Sequence, residues 1–158
     1  MLTVARLLIY PDQLSPDDIT RRLSIEPTKT SVAGEIRVNR LGLKRTVKSS
    51  TWILSSEGRV DSKDLRRHLD WLLACLRPTQ AAIHTLQTIA GVRMGIDCLW
   101  ESRGGQGGPT LSPEQMRAMA ELDLECSFNI EFYGNETISE AQAVAMSSAT
   151  RLRSKPTM

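Results

Sequence analysis

The sequence predicts an α+β domain, with a mixed, largely antiparallel sheet and helices packed on one face of it. Three observations carry that expectation. Several segments alternate apolar and polar residues with the period of two that marks a half-buried strand. Others repeat Leu, Ile or Ala at helical spacing. The two kinds interleave in the order β-α-β-β-α-α-β-α-β, whose first part matches the split β-α-β arrangement of ferredoxin-like folds.

Residues 3–10 are nearly all apolar and suit a strand buried on both faces, hence central in a sheet. Leu14-Ser15-Pro16-Asp17-Asp18-Ile19 then opens a helix. Ser15 suits the N-cap, Pro16 the first helical position, and the two aspartates the positive end of the helix dipole. This helix ends near Leu23, ahead of Pro27. Residues 35–41 and 46–56 read as the ragged arms of a hairpin that turns at Gly42. Asp61 is the expected cap of a helix whose apolar face is Leu65, Leu69, Leu72, Leu73 and Leu76. Pro78 ends it, and Thr79 is placed to cap a second helix with Ala82, Ile83, Leu86, Ile89 and Ala90 inward.

Val92, Met94, Ile96, Cys98 and Trp100 share one face of the next strand, opposite Arg93, Gly95, Asp97 and Leu99. A glycine-rich loop over residues 101–110 leads to Leu111-Ser112-Pro113-Glu114-Gln115-Met116, where Ser112 and Gln115 suit a capping box and Leu111 and Met116 a hydrophobic staple. The last strand should bury Leu124, Cys126, Phe128, Ile130 and Phe132 and expose Glu125, Ser127, Asn129 and Glu131. Residues 1–133 therefore read as a single α+β domain, and residues 134–158, rich in Ser, Thr and Ala, as a flexible or weakly helical tail. The two Leu-Ser-Pro-acid segments align without gaps. Duplication of a β-α-β unit and convergence on a good helix start both account for that match.

A chain of 158 residues is long enough to hold a core without disulfides or metal. Its formal net charge of +2 does not by itself argue for nucleic acid. The N-terminus lacks the features of a signal peptide, and no stretch approaches the length of a membrane span. The three cysteines are widely spaced, which suits reduced structural thiols. A cytoplasmic protein is expected, with no membrane partner.

Taken in order, several of these segments carry a family resemblance. They are Leu23 to Pro27, Gly34, Trp52-Ile53-Leu54, the Leu-rich helix ending before Pro78, Gly91, Leu111-Ser112-Pro113-Glu114 and Phe132-Tyr133. The chain resembles the bacterial proteins grouped as domain of unknown function family 4279, over roughly residues 3–133. The resemblance implies a small bacterial cytosolic protein and brings with it no activity, cofactor or catalytic residue.

No catalytic constellation or metal-ligand spacing stands out, so no catalytic residue, metal or cofactor is assigned. His68 borders the apolar helix face and suits a core-edge position, while His84 lies on a polar face. Gly104, Gly105, Gly107 and Gly108 precede a helix start, where phosphate loops also lie, but without the Gly-Lys-Ser/Thr of a P-loop. The least neutral region holds Arg37, Arg40, Lys44, Arg45 and Lys48, with no acid among them. Such a basic hairpin suits an acidic protein surface or phosphates. The same residues also suit a solvated edge that resists aggregation. The expected function is a non-catalytic protein-interaction module, immunity-like or defence-associated in its most concrete form. Its contact surface would be the hairpin with the sheet face bearing Arg93, Asp97, Glu125 and Glu131. The alternatives are nucleic-acid binding through the hairpin, for which no aromatic is interleaved, and an enzyme or ligand-binding protein using the glycine loop.

Overall fold

The computed structural model describes residues 2–102 and 108–132. The elements are β1 (Thr3–Tyr10), α1 (Pro16–Leu23), β2 (Lys29–Ser31), β3 (Ile36–Val38), β4 (Lys44–Thr46), β5 (Thr51–Ser55), α2 (Leu65–Leu76), a 3-10 turn (Arg77–Thr79), α3 (Gln80–Gln87), β6 (Arg93–Ser102), α4 (Pro113–Glu121) and β7 (Cys126–Phe132). Five strands form the main sheet in the order β2-β5-β1-β6-β7. Every neighbouring pair is antiparallel except β6 and β7. The fold is thus α+β with a mixed, mostly antiparallel sheet. In strands β2, β5, β1 and β6 the two β-α-β units interlock, each leaving room for a strand of the other, which is the split arrangement of ferredoxin-like folds. The unit β6-α4-β7 extends that sheet by one parallel strand.

The core lies between one sheet face and the helices. Ala5, Leu7 and Ile9 of β1, Trp52 and Leu54 of β5, and Ile96 and Cys98 of β6 join Leu65, Leu69, Leu72 and Leu76 of α2 in one buried cluster. β1 is central, as its composition predicts, but it is not buried on both faces. Arg6 and Leu8 are half-buried and Tyr10 is exposed, because none of the described helices covers their side. On that open face Arg6 pairs across the strands with Asp97, Nε to Oδ2 at 2.8 Å.

Local signals set the helix starts. Ser15 and Ser112 each form a full capping box, with Asp18 and Gln115 respectively, and each precedes a proline in the first turn. Met116, the expected staple partner of Leu111, is half exposed. Gln115 is instead the buried member of that turn. Its amide nitrogen donates to the Arg66 carbonyl at 2.9 Å and to Asp70 Oδ1 at 2.7 Å, tying α4 to α2. The cap of α2 is Asp64, not Asp61, and its carboxylate accepts from the Arg66 amide at 3.0 Å. Thr79 caps nothing: α2 runs through a 3-10 turn straight into α3, and the Thr79 hydroxyl donates to the Leu76 carbonyl at 2.9 Å.

Two strand expectations need correction. The arms over residues 35–41 and 46–56 are not one hairpin. β3 pairs with β4 in a separate two-stranded sheet, whereas β5 enters the main sheet between β1 and the unpredicted β2. Trp52 explains the separation: it is fully buried, with its indole Nε1–H donating to Thr20 Oγ1 of α1 at 3.0 Å. Similarly, Phe128, Ile130 and Phe132 of β7 are exposed rather than buried. β7 lies at the end of the sheet, beyond the part of the face that the helices cover.

A buried polar chain closes one end of the β1–β5 ladder. The Ala5 amide donates to Ser56 Oγ at 2.9 Å, and Ser56 Oγ lies 2.8 Å from His68 Nδ1. His68 Nε2 lies 2.8 Å from the Ser62 carbonyl, which can only accept. Nε2 therefore carries the proton, Nδ1 accepts from the Ser56 hydroxyl, and every group is satisfied. Replacing Ser56 by Ala orphans both the Ala5 amide and His68 Nδ1. The expected loss is about 1–3 kcal/mol of unfolding free energy, measured as a lower midpoint in urea with an unchanged slope.

Candidate functional site

The β3–β4 hairpin is built locally. Asn39 Oδ1 accepts from the amides of Leu41 and Leu43, both at 2.9 Å, and Gly42 takes the left-handed φ of 76° that the turn requires. At the foot, the Gly34 amide donates to the Val47 carbonyl at 2.9 Å, and the Val47 amide to the Glu35 carbonyl at 2.8 Å. Among the described residues one side-chain tether reaches the main sheet, from the Arg37 guanidinium to the Thr30 carbonyl at 2.9 Å.

Every residue of β3 and β4 is exposed. Alternation separates the hairpin into two faces. Arg37 and Arg45 stand directly opposite each other on one, and Ile36 and Val38 lie on the other, facing Thr46 and Lys44. Like charges directly opposite each other destabilise a strand pair. Arg37 is partly offset by Glu35 at 3.2 Å, and among the described residues no ion pair engages Arg40, Lys44, Arg45 or Lys48. The large aliphatics are equally uncovered: Ile36 is 66% exposed, Val38 60%, Leu41 83% and Leu43 64%. Alternation already sets Ile36 and Val38 on one face of the first arm, whereas Leu41 and Leu43 belong to the turn. The signal for the latter two is that Leu41-Gly42-Leu43 puts two apolar residues in a turn, where polar ones are usual.

Lys48 stands at the hairpin foot, where it lines a hollow of about 190 Å³ with Tyr10, Asp12, Ser49, Ser50, Gly91 and Arg93. Gly91 is required here. A Cβ at that position would lie 2.2 Å from Asp12 Oδ2, and its φ of 84° already excludes most side chains. The hollow shares Tyr10 and Arg93 with a shallow groove of about 230 Å³ on the open sheet face, lined also by Leu8, Asp97, Glu125 and Ser127. The Arg93 guanidinium lies over the Tyr10 ring, 5.4 Å from its centroid. The hollow at the hairpin foot and the groove therefore adjoin through Tyr10 and Arg93. Within this surface Asp97 is engaged by Arg6, while Gly95 makes room for Glu125, whose Cγ would lie 3.2 Å from an added Cβ. Glu131, the fourth sheet residue expected on this surface, is half-buried.

The glycine loop is described only at its two ends. Gly104, Gly105 and Gly107 lie outside the described residues, and Gly108 is exposed. The loop leaves β6 at Ser102, the opposite end from Arg93, and those ends are roughly 30 Å apart at strand rise.

The described residues hold one Ser–His pair, Ser56 and His68, at hydrogen-bonding distance, but both are completely buried. A substrate cannot reach that hydroxyl, so the pair acts as a structural tie. His84 is exposed, with Nε2 lying 3.0 Å from the Glu121 carbonyl. No cluster of three or more potential metal ligands occurs among the described residues, and none of their helices is long and apolar enough to cross a membrane.

The family model described as Domain of unknown function (DUF4279) matches residues 1–133. Neither the curated proteins nor the solved structures contain a match to the chain.

Because Asn39 holds the turn with two bonds and the hairpin touches the sheet so little, its loss should stay local. Asn39→Ala is expected to accelerate amide hydrogen exchange across residues 36–46 while β1, β5 and β6 keep wild-type protection. Equal acceleration in β1 would show that the hairpin is part of the cooperative core.

Proposed function

The chain belongs to the DUF4279 family, and from that premise we propose that it is a bacterial cytoplasmic, non-catalytic protein-interaction module whose contact element is the basic hairpin. One observation carries the reading. The hairpin displays five cations together with four large aliphatic side chains outside the core, and it sets Arg37 against Arg45. Folding gains nothing from such a combination, since exposed apolar surface and opposed like charges both cost stability. An acidic partner with apolar patches recovers both terms, neutralising the cations and burying Ile36, Val38, Leu41 and Leu43. The hollow holding Lys48 and Arg93 would extend the contact toward the open sheet face.

Nucleic-acid binding through the same residues is the second reading, supported by the cations alone. The hairpin carries aliphatic residues where base stacking calls for aromatic ones.

The deciding experiment is a pull-down from the source cells with the wild-type chain and with the triple variant Arg40→Glu, Lys44→Glu, Arg45→Glu. The variant should keep the wild-type melting temperature, because all three positions are exposed, and should lose the bound protein. Retained capture of the same protein would sink the surface assignment. Capture that depends on nucleic acid, disappears on nuclease treatment and falls steeply with salt would select the second reading.

A further inference from the structure

Cys98 and Cys126 come together on adjacent parallel strands. Cys98 stands opposite Phe128 in the register and Cys126 opposite Ile96, so the two are diagonal neighbours. Their sulfurs are 3.8 Å apart and hydrogen-bonded, and both thiols are free. Cys98 is fully buried in the core, whereas Cys126, at the start of β7, is only partly buried. The third cysteine, Cys75, lies on α2, outside this pair.

We propose that Cys98 and Cys126 form an oxidation site, in which a low-molecular-weight disulfide converts the two thiols to an intramolecular disulfide. The roles follow from access. Cys126 is the partly exposed sulfur and attacks first, as a thiolate. It bonds to one sulfur of the reagent, the reagent's own S–S bond breaks, and one small thiolate leaves. The Cys98 sulfur then attacks Cys126 Sγ, and its proton passes to the small thiolate that departs. The mixed disulfide breaks and the second small thiolate leaves. Two protein thiols lose two electrons and two protons, and the reagent is reduced to two thiols.

The shared hydrogen bond favours this order of events. It lowers the Cys126 thiol from its ordinary value and, with burial, raises Cys98 well above its own, so the outer sulfur ionises first. The sulfurs must approach from 3.8 Å to a bond of about 2.05 Å. β7 is the end strand of the sheet and Cys126 is its first residue, where the pairing with β6 begins, so closing that distance calls for movement at the start of β7.

The test treats the full chain with oxidised glutathione at neutral pH, alkylates the remaining thiols, and reads intact mass and a non-reduced digest. Wild type and Cys75→Ser should each lose two alkylatable thiols together, with the Cys98 peptide joined to the Cys126 peptide and no lasting glutathione adduct. Cys98→Ser should stop at an adduct on Cys126, because the resolving sulfur is gone. A stable Cys126 adduct in wild type, a cross-link through Cys75, or no consumption of thiols would overturn the proposal. The wild-type digest decides the matter even if Cys98→Ser fails to fold.

Discussion

The structure depends on burying one face of β1 beneath α2. Ala5, Leu7 and Ile9 meet the Leu65–Leu76 face, and each fully covered Leu or Ile side chain contributes about 1.5–3 kcal/mol relative to exposure. A strand alternates, so this burial also decides the other side. Arg6, Leu8 and Tyr10 must point away from the helices. The polar open face is therefore a geometric consequence of the core. Arg6 meets Asp97 there, and Tyr10 meets Arg93, because β6 presents its own outward residues at the same register.

The hairpin escapes that constraint. It buries nothing against the sheet, and its fold rests on its own ladder, the Asn39 turn and a tether from Arg37. An element held so lightly can carry a composition that a core element could not, with opposed arginines and bare leucines. Rules of local stability are broken in one compact place while capping and core packing obey them elsewhere.

Much of this was legible in the residues. Ser15-Pro16 and Ser112-Pro113 announced two helix starts, and the leucine spacing of α2 marked its buried face. The five cations were likewise visible as a cluster. What escaped was non-local. Trp52 looked like the continuation of a hairpin arm, but a buried indole bonded to Thr20 placed its strand in the main sheet. Phe128, Ile130 and Phe132 looked inward because they alternate, yet alternation cannot say whether a helix stands over the face it defines. Gln115 looked like half of a cap and also proved to be the bond between α4 and α2.

The same distinction separates the two candidate functional features. The charge of the hairpin is a property of composition over a few consecutive residues, so the sequence alone determined it, as it did the helix caps and the class of fold. The meeting of Lys48 with Tyr10 and Arg93 in one hollow and the meeting of Cys98 with Cys126 were decided only in the tertiary structure. Capping, periodicity and charge act within a turn or two of chain, whereas strand order and register emerge from packing residues far apart in sequence around one core.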